Sequence, residues 1–175
     1  SNAVGAAISV SAEAADITSA TTTNAGGNIA LTATVGQLTV GTATSLGALA
    51  LDKLGLTGQI TATGPLEAVN NLDIDSATDI TATTLRSTLG DIILESTGDT
   101  DFTTALADAG SFTATTTLGS GGDLTADRIR AQGAVVIDAD GAITLDGDPD
   151  VSAILGFTRS IQSAGGAVSL TSGAD

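Results

Sequence analysis

Gly122-Asp-Leu-Thr-Ala-Asp127 contains the pattern that decides the fold: an apolar residue, then threonine, then a small or apolar residue. The pattern recurs along nearly the whole chain. Its copies begin at Ile17, Leu38, Ile60, Ile80, Phe102, Leu124 and Ile143, and Val168-Ser169-Leu170 is a last copy with serine in place of threonine. Successive copies begin 19 to 25 residues apart. A period of about 20 residues is typical of repeat proteins, whose units bury their apolar faces only against neighbouring units.

A second apolar series, usually opened by glycine, runs between the members of the first. Gly90-Asp-Ile-Ile-Leu94 is a clear copy. The copies begin at Ile8, Ile29, Leu49, Leu72, Ile92, Phe112 and Val135, and Leu155-Gly-Phe157 continues them. A weaker third set lies in the remaining gap and consists of Leu46, Leu66, Leu85, Leu106, Ile129 and Val151. Interleaved series with one period predict at least two strands in every unit.

Alternation within each copy predicts strand geometry. The first and third residues face one way and the middle residue faces the other, and Ile, Val and Thr favour strands. A glycine before a strand suits the tight, often left-handed backbone of a corner. Residues 46–56 could form a short helix, but their register with the other units favours a strand.

A unit of this length with two or three short strands and no helix predicts an all-β fold. We expect a parallel, right-handed β-helix, or solenoid, of about eight coils of roughly 20 residues. The leucine-rich repeat has a similar period, but its L-x-x-L-x-L-x-x-N pattern does not occur in the sequence. In this register Leu124 points inward between Phe102 and Ile143. Thr125 points outward between Thr103 and Thr144.

The domain organisation predicted from the sequence is a single repeat segment. Residues 1–3, Ser-Asn-Ala, resemble the remnant of a cleaved expression tag and are set apart from the fold. Residues 4–175 are expected to form the β-helix, as an excerpt of a longer chain.

The charge balance is strongly acidic. Seventeen Asp and three Glu face five basic residues, for a net charge of −15. Because Asp favours turns, we interpret most of these acids as solvated turns and edges. Nucleic acids and anionic membranes require basic surface, so neither is expected as a partner. The chain has three Phe and no Trp, Tyr, Met, Cys or His, which suits a narrow interior filled by short side chains.

Calcium binding is one chemical hypothesis. The carboxylates that suggest it, since hard cations prefer oxygen ligands, are Asp138, Asp140, Asp146, Asp148 and Asp150. The bidentate Glu expected later in a calcium loop is missing, and Leu145 stands where another ligand is expected. We therefore predict solvated turns here, with no metal ligands and no cofactor-binding residues.

Catalysis is a second hypothesis, because β-helices host polysaccharide lyases and hydrolases. The pairs Asp73/Asp75 and Asp99/Asp101 could serve glycoside hydrolysis, which requires two carboxyl groups. The sequence lacks the His, Tyr and Trp that such sites commonly use, and Arg128 and Arg130 are expected near a corner. We predict no catalytic residues and no enzyme activity.

A threonine ladder is the third hypothesis. The predicted ladder consists of Thr18, Thr39, Thr61, Thr81, Thr103, Thr125 and Thr144. Flat Thr-x-Thr arrays on β-helices can bind ice, but only Thr61-Ala-Thr63 and Thr81-Ala-Thr83 supply adjacent double threonines here. A surface ladder of β-branched residues is the favoured interpretation.

Several units resemble the degenerate repeats of filamentous haemagglutinin-like exoproteins. They are GGNIALTA (26–33), GDIILEST (90–97) and GAITLDGD (141–148), in a cysteine-free chain rich in Ala, Thr, Gly and Asp. Members of that family are large adhesins, haemolysins and contact-dependent toxins of Gram-negative bacteria, exported by two-partner secretion. The Asn-Pro-Asn-type motifs of their secretion domain do not occur in this sequence, so the resemblance places it in the repeat shaft.

The resemblance implies a structural function. We expect a shaft segment of a secreted, cell-surface adhesin-like protein, with a host or neighbouring-cell surface or its glycans as partner. An outer-membrane transporter is the partner expected for export of the parent protein. The alternatives left open are a carbohydrate-binding or carbohydrate-cleaving β-helix and an ice-binding threonine surface.

Overall fold

The computed structural model describes residues 6–24, 26–117, 121–146 and 160–173. These residues form strands, turns and bends, with no helix among them. In chain order the strands are β1 (Ile8–Ala12), β2 (Ile17–Asn24), β3 (Ile29–Ala33), β4 (Leu38–Ser45), β5 (Leu49–Lys53), β6 (Ile60–Ala62), β7 (Leu66–Ala68), β8 (Leu72–Ser76), β9 (Ile80–Ser87), β10 (Ile92–Ser96), β11 (Thr100–Ala107), β12 (Phe112–Thr116), β13 (Leu124–Ala131), β14 (Val135–Ala139), β15 (Ile143–Leu145), β16 (Ile161–Ser163) and β17 (Val168–Ser172). Residues 49–53 are thus in a strand, as predicted.

Two parallel sheets contain all of these strands. The first has eight strands in the order β1-β3-β5-β8-β10-β12-β14-β17. The second has the order β15-β13-β11-β9-β6-β4-β2, with β7 paired to β4 and β9 and β16 paired to β13. Each strand pairs in parallel with the equivalent strand about one repeat away. The chain therefore alternates between the sheets, which confirms the predicted parallel β-solenoid.

The number of turns is smaller than predicted. The solenoid has about six turns, which is the number that carries the chain from β1 to β14 in the first sheet. The predicted figure of about eight coils equals the number of strands in that sheet. It overestimates the turns because eight strands are joined by seven steps, and the last step, from β14 to β17, includes residues outside the described ones.

Each coil has three sides, because the long strands of the second sheet bend. The ladder between β9 and β11 pairs the residues around Thr83 and Thr103 but skips these two. In the third coil the two halves are separate strands, β6 and β7, which both pair with β4 and β9. Two sides come from the second sheet and one from the first.

The third side corresponds to the weaker apolar set of the sequence. Leu66, Leu85 and Ile129 are fully buried there, as predicted. Leu46 and Leu106 are not in the core ladder, because Ala43 and Ala105 occupy the inward positions of their coils. The predicted member Val151 and the continuation at residues 155–157 lie outside the described residues.

The core is a narrow column of inward-facing side chains. The rings of Phe102, from the second sheet, and Phe112, from the first, lie 5.5 Å apart between centroids and are tilted by 48°. Side chains of opposite sheets therefore touch directly, and short apolar residues suffice to fill the remaining coils.

The register around Leu124 differs from the prediction by two residues in one coil. Leu124 pairs with Thr100 and Ile143, while Phe102 pairs with Ala126. Thr100 is only 2% exposed, and its hydroxyl lies 2.8 Å from the hydroxyl of Ser96. A hydrogen-bonded hydroxyl thus takes the inward position that the sequence pattern gave to Phe102.

Val168-Ser169-Leu170 belongs to the second series and not to the first. Val168 pairs with Val135 and Leu170 with Ile137, in the first sheet. The corresponding place in the second sheet is occupied by β16, which pairs with the end of β13. The predicted assignment of this last copy is wrong for that reason.

Most corner glycines serve close approach between coils and not left-handed backbone. Among the described residues, positive φ angles occur at Gly36, Gly58 and Gly121. Gly110, which precedes β12, has no such angle, but a Cβ atom on it would overlap the carbonyl oxygen of Gly90 in the neighbouring coil. Stacking of the coils thus explains the glycine that opens this repeat.

Among the described residues there is no helix with the length and apolar character needed to cross a membrane.

Candidate functional site

The corner carboxylates link one coil to the next. Asp79 Oδ1 accepts a hydrogen bond from the Asp99 backbone N–H at 3.0 Å, and Asp99 Oδ1 accepts one from Asp123 N–H at 2.9 Å. Asp123 Oδ1 in turn accepts from Ala142 N–H at 2.8 Å. The predicted pair Asp99/Asp101 is therefore divided. Asp99 fastens a corner, while Asp101 lies on an outer sheet face.

An acidic row runs across the outer face of the first sheet. Asp52, Asp75 and Glu95 are consecutive ladder partners, and Asp73 lies beside them on β8. Desolvation raises the pKa of Asp73, and the negative charges of Asp52, Glu95 and Asp75 raise it further. Desolvation also raises the pKa of Asp75, with Glu95 and Asp52 adding to the effect. Desolvation and neighbouring negative charges therefore both disfavour ionisation of these two carboxyl groups.

The lysine next to the acidic row does not reach it. Lys53 points into the interior, is 1% exposed, and donates a hydrogen bond from Nζ to Gly55 O at 2.7 Å. Ser96, which faces inward at the equivalent position two coils on, donates to Gly98 O at 2.8 Å. Lys53 therefore satisfies a backbone carbonyl group at a corner of the coil, as Ser96 does two coils further on.

The described members of the predicted acidic turns near the end of the chain are not brought together as a metal site. Asp138 faces outward between Thr115 and Thr171, and Asp140 Oδ2 accepts from Gly121 N–H at 2.6 Å. Asp146 lies just after β15, whereas Asp148 and Asp150 lie outside the described residues. Within the part of the chain that the structure describes, no group of three or more His, Cys, Asp or Glu could hold a metal ion.

The threonine ladder exists, with one substitution. Its members in the structure are Thr18, Thr39, Thr61, Thr81, Asp101, Thr125 and Thr144. Asp101 takes the place predicted for Thr103, because of the register difference described above. A charged side chain thus interrupts the flat hydroxyl array on which the ice-binding hypothesis depends.

The arginines lie on the third side of the coil and near its corners, as predicted, since Arg128 follows the bend of β13 and Arg130 precedes the corner at Gln132. Arg128 and Arg130 belong to β13, where Arg128 is only 4% exposed. Asp108 bridges two arginines of different coils: its Oδ2 lies 2.8 Å from Arg86 Nη2, and its Oδ1 lies 3.2 Å from Arg130 Nη2. All three arginines of the described residues are therefore on one side of an otherwise acidic molecule.

A cavity of about 240 Å³ lies beside this bridge. Its polar lining comes from Asp108, Arg130, Gln132 and Gln162, and its apolar lining from alanines. Gln162 Oε1 is buried and has no hydrogen-bond partner among the described residues. No sequence motif predicts this cavity, because its residues come from three coils.

Comparison with protein-family models, with curated proteins and with solved structures gave no match. The resemblance to filamentous haemagglutinin-like repeats therefore stays a prediction from the quoted units.

Proposed function

We propose that this chain is a structural shaft segment of a secreted, cell-surface adhesin-like protein, and that it displays or contributes to surface adhesion. The observation that carries the proposal is the continuous stacking of about six turns through two parallel sheets. Such a solenoid extends by addition of coils, each held by its neighbours, and so can serve as a spacer of any length.

The surface chemistry supports a non-enzymatic role. The four basic residues described are Lys53, which faces inward, and three arginines on the other sheet, so none joins the acidic row. Carboxyl groups spread along a flat sheet face do not enclose a substrate, whereas catalytic and ligand sites are usually concave. The acidic corners and faces instead keep a stacked β-protein soluble.

The partners and location follow from the same proposal. The parent protein would be exported through an outer-membrane transporter of a Gram-negative bacterium and held at its surface. There it would contact a host or neighbouring-cell surface or its glycans. Nucleic acid does not fit as a partner, because the net charge of −15 repels phosphate.

Intact cells of the source organism provide the test. An antibody raised against this chain should label the cell exterior in immunogold electron microscopy, and external protease should remove the label. Beads coated with the chain should bind target cells better than beads coated with a soluble control protein of similar charge. Label confined to the cell interior, or no excess binding of the beads, would contradict the proposal.

A carbohydrate-cleaving β-helix is the second candidate, and its two carboxyl groups would be Asp73 and Asp75 of the acidic row. The raised pKa of Asp73 and Asp75 is a property that general acids share. Incubation with neutral and acidic polysaccharides, followed by a reducing-end assay, tests it. Cleavage that is lost in Asp73→Asn and Asp75→Asn would favour this candidate over the shaft, and no cleavage would remove it.

A further inference from the structure

We propose that the cavity beside Arg130 binds a single neutral hexose unit of a cell-surface glycan. The inference rests on the proposed function, because it assigns a ligand class and a position to the adhesive contact. The polar residues that carry it are Asp108, Arg130, Gln132 and Gln162.

The walls of the cavity are fixed by the coil stacking. Asp108 N–H donates to Ser87 O at 2.8 Å, Gln132 N–H donates to Ala107 O at 3.0 Å, and Ala164 N–H donates to Ala131 O at 3.0 Å. Three successive corners are thus held by backbone hydrogen bonds to the coils below. A site with a fixed backbone loses little freedom on binding, which favours recognition of a small ligand.

The polar groups match vicinal hydroxyls. A hydroxyl can donate and accept at once, so it can satisfy an acceptor and a donor of the protein together. Gln162 Oε1 has no described partner and is closed to solvent. If the Gln162 side chain turns toward the cavity, a ligand hydroxyl can donate to it and supply the missing hydrogen bond. The Arg86 and Arg130 contacts orient the Asp108 carboxylate, which offers further acceptor capacity.

Size and charge narrow the ligand class. The volume of about 240 Å³ lies below the roughly 300–1,000 Å³ of sites for drug-sized ligands, so one sugar ring fits better than an oligosaccharide. Ala164 is exposed and supplies apolar contact for the C–H groups of a ring, whereas Ala107 and Ala131 are buried and form only the floor of the cavity. The net charge of −15 disfavours an acidic sugar.

Saturation-transfer difference NMR on the whole chain tests the proposal. The probes are glucose, galactose, mannose and N-acetylglucosamine at millimolar concentration, with glucuronate as the anionic probe. We expect a signal from at least one neutral hexose and about tenfold weaker binding in Gln162→Leu, since that change removes the amide but retains its bulk. Gln59→Leu is the matched control, because Gln59 donates to Thr61 at a different corner.

The outcomes separate the site from the proposed function. No signal from any neutral hexose, a signal from glucuronate alone, or equal signals from Gln162→Leu and the wild type would overturn the hexose site. Thermal melts by circular dichroism establish that both variants are folded, and Gln132→Leu replaces Gln162→Leu if that variant does not fold. Wild-type beads that bind cells while Gln162→Leu beads bind equally well would overturn this site and leave the shaft proposal standing.

Discussion

At the scale of single residues, Leu124 tests the inward ladder. It is fully buried between Thr100 and Ile143. Leu124→Asp would remove its packing and place a carboxylate in the core, at a loss of about 5 kcal/mol or more. Because total stability is typically about 5–15 kcal/mol, we expect no cooperative unfolding transition near the wild-type temperature in a thermal melt followed by circular dichroism.

The control for Leu124 is its neighbour on the outer face. Thr125→Ser keeps the hydroxyl and removes only an exposed methyl group, so we expect a loss of a few tenths of a kcal/mol, within the roughly 1 kcal/mol span of strand preferences. A wild-type melt for Leu124→Asp, or a large loss for Thr125→Ser, would show that the two faces of β13 are assigned the wrong way round.

Asp99 tests the link between coils. Its carboxylate accepts from Asp123 N–H, so Asp99→Ala should lower the free energy of unfolding by about 1–2 kcal/mol, or the melting temperature by roughly 2–8 °C. Asp101→Thr is the comparison, because it restores a continuous threonine ladder and should leave stability equal or higher. Urea unfolding followed by circular dichroism measures both. An unchanged free energy of unfolding in Asp99→Ala would show that this corner carboxylate does not stabilise the fold.

At the scale of strands, the sequence predicts the type of element better than its register. Period-two alternation around Ile92, Leu94 and their equivalents gives the strands of the first sheet, and the same residues are ladder partners in the structure. Alternation arises from local geometry, since a strand with one buried face must place apolar residues at every second position. The strands of the first sheet can therefore be predicted from the sequence alone.

The predicted register is wrong where a residue is compatible with both the inward and the outward face of its strand. Thr100 is inward and Asp101 is outward, yet Phe102 carries the stronger apolar signal two positions later. The Ser96 hydroxyl that accommodates Thr100 lies four residues away, in another strand. Alanine causes the same error at Ala43, because a small residue gives little sign of burial. The cavity at Gln162 was not predictable, since its residues become neighbours only through stacking.

The acidic row predicts how the stability depends on pH. Asp75 on β8 faces Asp52 on β5 and Glu95 on β10, and its pKa is raised in the folded chain. Below the ordinary value of 3.8 the carboxyl is protonated in both states, and its contribution to stability is complete. As pH rises from there through the raised pKa, the unfolded state ionises first and that contribution is lost. The row should therefore make the fold less stable at neutral pH than near pH 4.

Asp75→Asn isolates this effect. Removing one of the stacked charges should raise the free energy of unfolding at neutral pH by a few tenths of a kcal/mol, because exposed like charges repel weakly. It should also reduce the fall in stability between acidic and neutral pH. Urea titrations at a series of pH values measure both, with Asp101→Asn on the other sheet as control. A steeper slope in Asp75→Asn would show that the row is not repulsive.

At the scale of the whole molecule, the solenoid is held coil by coil. Inward residues of the middle coils, such as Leu51 and Leu94, are fully buried. Their ladder equivalents on the end strands are not, since Val10 is 44% exposed and Leu170 is 48% exposed. Each end strand of the first sheet pairs with one neighbour only, whereas an interior strand pairs with two. The free energy of unfolding is then approximately the sum of the stability of each coil and of the interfaces between coils. Local stability should be lowest in the end coils, because each has one interface.

Hydrogen exchange followed by NMR measures this gradient. We expect the backbone amides of β8, β10 and β12 to be the most protected and those of β1 and β17 to exchange at least tenfold faster, because local opening at an end breaks one interface and opening in the middle breaks two. In Asp99→Ala the protection should fall first in β11 and β13, the strands next to the lost corner bond. Equal protection in all coils would mean that the chain opens only as a whole. The solenoid would then be a single cooperative unit, and a shaft built from it could not unfold one coil at a time.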